Sequence, residues 1–133
     1  MHGTQTLPNK AAGEVALLEP GTVDFDNEGW WVAGEHKYIP KRKGVYLVGT
    51  SFVATTVLEA GKLVDIGPAK NGALVGGAAF RFIGQGGGIG AEGGYAVIVE
   101  MNGTTDALTA IGNTTQAAGA GTTTLYSVAV GGT

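Results

Sequence analysis

Glycine interrupts this chain too often for a long helix to be placed anywhere. The 133 residues include 25 glycines. They fall between apolar runs at short intervals and follow no collagen-like period. Such punctuation, together with many threonines, suits short strands joined by turns. The most strand-like run is Val45 to Val53, rich in β-branched and aromatic residues. It is introduced by Lys37-Tyr38-Ile39-Pro40 and a basic turn, Lys41-Arg42-Lys43-Gly44. Pro40 lacks a ladder donor and belongs at a strand end or edge. Side-chain alternation puts Tyr46, Val48, Thr50 and Phe52 on one face and Val45, Leu47, Gly49, Ser51 and Val53 on the other. Both faces begin apolar. The run therefore reads as a central strand covered by a second sheet on one side and another subunit on the other.

The same alternation recurs along the chain. Met1 to about Ala12 reads as a polar arm, Glu14 to Glu19 as a first edge strand before the Pro20-Gly21 turn, and Thr22 to Asp26 as a half-buried strand. Lys62 to Ile66 is a short strand that Gly67-Pro68 ends, and Asn71-Gly72 makes a tight turn. Leu74 to Ile83 alternates, with Leu74, Ala78, Phe80 and Phe82 on one face and a bulge at Gly76-Gly77. Gly84 to Gly94 reads as a flexible loop. Tyr95 to Met101 is a strand, Asn102-Gly103 a hairpin turn into Ala107 to Ile111, Asn113 to Gly121 a small-residue loop, and Thr122 to Val130 the last strand. Eight or so short strands spaced by turn signals give an all-β sandwich or barrel. The division expected is an N-terminal arm over 1–20 and one domain over 21–133.

Charged residues make up 14% of the chain against about 25% in an average soluble domain. With 44% hydrophobic residues, part of the surface is expected to face protein rather than water. A net charge of −3 speaks against wrapping nucleic acid. No run approaches the roughly 20 apolar residues of a membrane-spanning helix, and no signal peptide is recognisable. The absence of cysteine removes disulfides, thiolate metal sites and a cysteine nucleophile. These features read as a chain made and assembled in a cytoplasm.

Three patterns with chemical meaning were weighed against their setting. Asp24, Asp26, Glu28, Gly29 and Glu35 match a calcium-loop spacing. Pro20-Gly21 and Pro40 leave no room for the flanking helices, so a polar turn, with one of Trp30 and Trp31 buried and the other exposed, is expected. Gly88, Gly90 and Gly93 spell GxGxxG, yet a strand follows where the dinucleotide motif needs a helix. Ser51 and Ser127 lie inside strands, and nothing brings His36 to them as a base. Neither an enzyme, nor a cofactor, nor a bound metal is expected.

Phe25, Asp26 and Trp30, then Tyr38-Ile39-Pro40 and Lys43-Gly44-Val45-Tyr46-Leu47, resemble the globular-head jelly roll of the complement and tumour necrosis factor superfamily. The segments Gly94 to Val99 and Thr124 to Gly131 resemble its later strands, with Gly93-Gly94 replacing the usual Gly-Asp. The resemblance covers about Thr22 to Gly131 and implies a jelly-roll β-sandwich forming a threefold trimer. The small size, with neither cysteine nor a secretion signal, resembles the versions found in bacteriophage virions, and Met1 reads as the start of a complete gene product. What this implies is a capsid decoration protein: a homotrimer bound to the major capsid protein on the virion surface. Tyr46, Val48, Tyr95, Tyr126 and Val128 are the expected trimer contacts. Leu7, Pro8 and Lys10 of the arm, with Lys41, Arg42 and Lys43, are the expected capsid contacts. The alternative is the receptor- or glycan-binding head of a fibre, for which Trp30 and Trp31 are the available aromatics.

Overall fold

The computed structural model describes residues 2–7, 15–18, 22–75, 80–86, 90–114 and 121–131. One sheet contains β1 (His2–Leu7), β3 (Thr22–Phe25), β6 (Gly44–Val57), β10 (Gly90–Met101) and β12 (Gly121–Gly131), in the order β10-β6-β12-β1-β3. The other contains β2 (Val15–Leu18), β4 (Trp31–Val32), β5 (Lys37–Tyr38), β7 (Leu63–Lys70), β8 (Ala73–Leu74), β9 (Phe80–Ile83) and β11 (Leu108–Thr114). Its order is β4-β5-β11-β7-β8, with β2 also on β11 and β9 also on β7. The pairings are antiparallel, and the chain forms an all-β sandwich as its turn spacing predicts.

The core lies where the two sheets face each other. Tyr46, Val48 and Phe52 of β6, Val99 and Met101 of β10 and Leu125 of β12 meet Tyr38, Ile66, Leu108 and Ala110 of the opposite sheet. The alternation expected for β6 holds, since its even-numbered residues from 46 to 52 are buried while Val45, Leu47 and Ser51 are half-buried and Val53 exposed. One member of the inward row is polar. Thr50 is 1% exposed, and its hydroxyl has no hydrogen-bond partner among the described residues. A buried hydroxyl in that state costs about 1–3 kcal/mol.

Several segments depart from their sequence reading. His2–Leu7, expected in a polar arm, is β1, paired along its whole length with β12 and over residues 2–4 with β3. Thr4 and Thr6 suit a strand, and β12 offers them an edge of backbone partners. Asn102-Gly103 does not make a hairpin. β10 pairs with β6 and β11 with β7, so the chain crosses there from one sheet to the other. Asn102 Oδ1 accepts the N–H groups of Thr104, Thr105 and Asp106 and shapes that crossing. β7 runs past Gly67-Pro68, and Pro68 falls in the gap between its pairing with β9 (63–66) and with β8 (69–70), where a missing donor is tolerated. β10 begins at Gly90, inside the expected loop. The phenyl ring of Phe80 occupies the space beside Gly93, as the ring of Tyr126 does beside Gly49. Rings filling such gaps let glycine sit inside a strand. Gly76-Gly77, most of the 113–121 loop and Pro8 to Glu14 lie outside the described residues.

The 102–107 crossing is tied to the β7–β8 turn by Asp106. Its carboxylate accepts hydrogen bonds from Asn71 Nδ2 (2.9 Å), the Asn102 N–H (2.9 Å) and Lys70 Nζ (2.9 Å). The Asn71 bond first, and then the Lys70 bond, hold the Asp106 carboxyl below its ordinary range. A carboxylate whose pKa is lowered on folding adds stability that is present above its unfolded pKa of about 4 and disappears as pH falls through the folded value. Asp106→Asn is therefore expected to be less stable than the parent at pH 7, with the difference in denaturant midpoint closing as the pH is taken below about 4. Thr50→Val keeps the shape and removes the unpaired hydroxyl. Chemical denaturation should show it more stable by about 1 kcal/mol; a destabilised Thr50→Val would mean that the hydroxyl has a partner.

Candidate functional site

The segment after β3 is a turn built by one carboxylate. Asp26 Oδ1 accepts the N–H of Gly29 (3.1 Å) and Oδ2 that of Trp31 (2.7 Å). This leaves Asn27 and Glu28 at the exposed tip and sets the entry into β4. β4 and β5 pair Trp31 with Tyr38 and Val32 with Lys37, and the Ile39 N–H returns to the Trp30 carbonyl at 3.0 Å. The short hairpin brings the 26–30 turn alongside the basic turn 41–43, which follows Pro40. The Trp30 ring lies 6.0 Å from Tyr38, tilted by 45°, and the Arg42 guanidinium stands 5.9 Å from the Trp30 ring centroid. Tyr46 donates its hydroxyl hydrogen to the Arg42 carbonyl at 2.8 Å.

Between these groups and residues 127–129 of β12 is a surface cavity of about 200 Å³, lined by Asn27, Glu28, Trp30, Arg42 and Tyr46 among others. Burial, and then the nearby Asp26 carboxylate, raise the Tyr38 phenol above its ordinary range. Burial also raises that of Tyr46, which Arg42 opposes. Both stay neutral hydroxyls at physiological pH.

The basic turn is held from behind. Lys41 Nζ donates to the Thr104 carbonyl at 3.3 Å. Gly103 has φ +76°, and a Cβ on it would lie 2.3 Å from the Lys43 nitrogen. Only glycine lets the 102–107 crossing rest so closely on the turn. Of the expected capsid contacts, then, Lys41, Arg42 and Lys43 are all exposed, and Lys41 and Arg42 also have contacts within the chain. Leu7 ends β1, paired with Gly121; Pro8 and Lys10 lie outside the described residues.

The expected trimer contacts divide by face. Tyr46 and Val48 point inward and are 2% and 0% exposed, so one chain already covers them. Tyr95 and Tyr126 are half-buried. Val128 is 54% exposed on the outer face of the five-stranded sheet, where β-pairing aligns Ile98, Leu47 and Val128 in one row. Ile98 is 64% exposed, and Val53 also opens outward. Ile98 escaped the sequence reading because the large aromatics drew attention. The signal was present in Ala96-Val97-Ile98-Val99, whose alternation sends Ile98 away from the core.

The calcium-loop residues do not converge. Both Asp26 oxygens hold the turn, Glu28 is exposed, and Glu35 pairs with Lys37. The Asp24 side chain lies outside the described residues, and among the described ones no group of three His, Asp or Glu could hold a metal. Trp30 and Trp31 are both half-buried, rather than one buried and one exposed. Of GxGxxG, Gly90 and Gly93 lie in β10 and Gly88 outside the described residues. Ser51 is on the middle of β6, Ser127 inside β12, and His36 in the turn between β4 and β5 with φ 50°.

Compared with known proteins, the sequence matches no protein-family model and no curated protein.

If Asp26 shapes the turn and holds no ion, Asp26→Ala should cost about 1–3 kcal/mol in a urea melt. Millimolar calcium should leave the melting temperature of the parent unchanged. A calcium-dependent rise that Asp26→Ala abolishes would reverse the assignment.

Proposed function

We propose that this chain is a structural protein of a bacteriophage particle, a decoration protein whose jelly-roll domain trimerises and docks on the assembled capsid. The observation that carries the reading is the outer face of the five-stranded sheet. Ile98, Leu47 and Val128 form a row across β10, β6 and β12, with Ala96, Gly49 and Tyr126 in the next row. These two rows carry no charge across β10, β6 and β12, and the carboxylates on that face, Glu100 and Glu92, stand at its borders opposite Val45 and Val53. Contiguous apolar faces of this kind mark interaction surfaces more often than bare monomer surface.

The jelly-roll form of the sandwich draws support from nested pairing: β1 with β12, β5 with β11, β6 with β10, and β7 with β9. In each of these four pairs an earlier strand meets a later one, as in a sheet pair wound from two Greek keys. In this reading Val128 and Tyr126, joined by Ile98 and Leu47, face the neighbouring subunit. Tyr46 and Val48 support that strand from beneath. The exposed basic turn, Lys41 to Lys43, faces the capsid protein. Action is passive: a trimer that binds only the assembled shell stabilises it by mass action. No catalytic step, cofactor, nucleic acid or membrane is assigned. The second reading, a receptor- or glycan-binding fibre head, draws on the cavity beside Trp30.

Sedimentation at micromolar concentration is expected to give a trimer, and Ile98→Lys or Val128→Lys a monomer with an unchanged circular dichroism spectrum. A monomeric parent overturns the trimer. In isolated particles, a copy number matching the capsid lattice supports decoration; a handful per particle points to the fibre head.

A further inference from the structure

We infer that the cavity between the 26–30 turn and the basic turn binds one neutral sugar ring, the terminal pyranose of a glycan. The inference stands on the chemistry of the lining and does not rest on the virion reading. Glu28 offers only acceptor oxygens, Arg42 only donors, and Asn27 both. The Tyr46 oxygen has its hydrogen committed to the Arg42 carbonyl and accepts from the cavity side. The carboxylate and guanidinium oppose any strongly charged occupant: an anion meets Glu28, a cation meets Arg42. A neutral molecule with closely spaced hydroxyls, each both donor and acceptor, matches all of these groups without placing a charge beside its like.

Trp30 lines the cavity with the Arg42 guanidinium over its ring, so the apolar surface it offers the C–H face of a pyranose is the part that guanidinium leaves uncovered. The cavity holds about 200 Å³, the share of about six or seven waters of liquid. That is room for one sugar ring, and less than a drug-sized pocket requires.

The lining is also fixed in advance. Asp26 holds the turn that carries Asn27 and Glu28. Arg42 is oriented over Trp30, and the backbone of its turn is backed by Gly103. The backbone that carries these side chains is therefore set before binding, and the ordering that binding requires is confined to the exposed side chains of Asn27, Glu28 and Arg42.

The test is an NMR titration of the full chain with methyl α-D-glucopyranoside, methyl β-D-galactopyranoside, methyl α-D-mannopyranoside and N-acetylglucosamine, with sodium acetate as the anion probe. At least one sugar is expected to shift the Trp30 indole N–H and the Asn27 and Glu28 amides saturably, with a dissociation constant on the order of 1 mM. Glu28→Ala, an exposed position, should weaken that binding about tenfold while leaving the melting temperature unchanged. The inference is overturned if none of the four sugars moves these signals at about 100 mM, far above the affinity of a single ring. It is equally overturned if Glu28→Ala binds as the parent does, or if acetate shifts the same signals more than any sugar. A monomeric chain that binds a sugar would refute the trimer and leave the site standing.

Discussion

β6 gives its backbone to two neighbours at once, β10 along one edge and β12 along the other, from Val45 to Val53. Its side chains alternate between the sandwich interior and the outer face, so a slip of one residue against either neighbour would exchange the two sets. Tyr46, Val48 and Phe52 would then face outward and Val45, Leu47 and Val53 inward. Alternation alone does not prevent this, because both sets are largely apolar. Shape does more. A Cβ at Gly49 would collide with the ring of Tyr126, and one at Gly93 with the ring of Phe80. These two ring-on-glycine contacts fix the register that the apolar pattern leaves open.

Much of the fold was legible in the sequence. β3, β6, β10 and β12 follow from alternation, and Asn71-Gly72 makes the expected turn, with φ of 51° and 86°. The misreadings share a cause: local signals were assigned without the partner that decides them. Asn102-Gly103 has hairpin chemistry, yet the strands on either side belong to different sheets. Gly90 to Gly94 has loop composition, yet Val57 to Ser51 of β6 offers it a ladder and Phe80 fills beside it. His2–Leu7 has too little apolar content to announce a strand, and its place depends on residues over a hundred positions away.

The candidate site was legible only in pieces. Asp26, Glu28, Trp30 and Arg42 were each singled out, under three different headings: an ion loop, an aromatic pair and a basic patch. Their meeting depends on the short β4–β5 hairpin folding the 26–30 turn back on the 41–43 turn. Two-residue strands leave almost no trace of periodicity. The carboxylate spacing that resembles an ion loop is put to a different use, with Asp26 turned onto its own backbone.

The pairing of β1 with β12 also has a consequence in time. His2 lies opposite Tyr126, so β1 completes its ladder with a strand more than a hundred residues away. Pairings between distant segments must meet the entropy of closing a long loop before any contact rewards it, and folds dominated by them form slowly. During that interval β6 lacks β12 along one edge, and an open, largely apolar strand can recruit the wrong neighbour. Completion of the five-stranded sheet therefore waits on the arrival of β12 between β6 and β1.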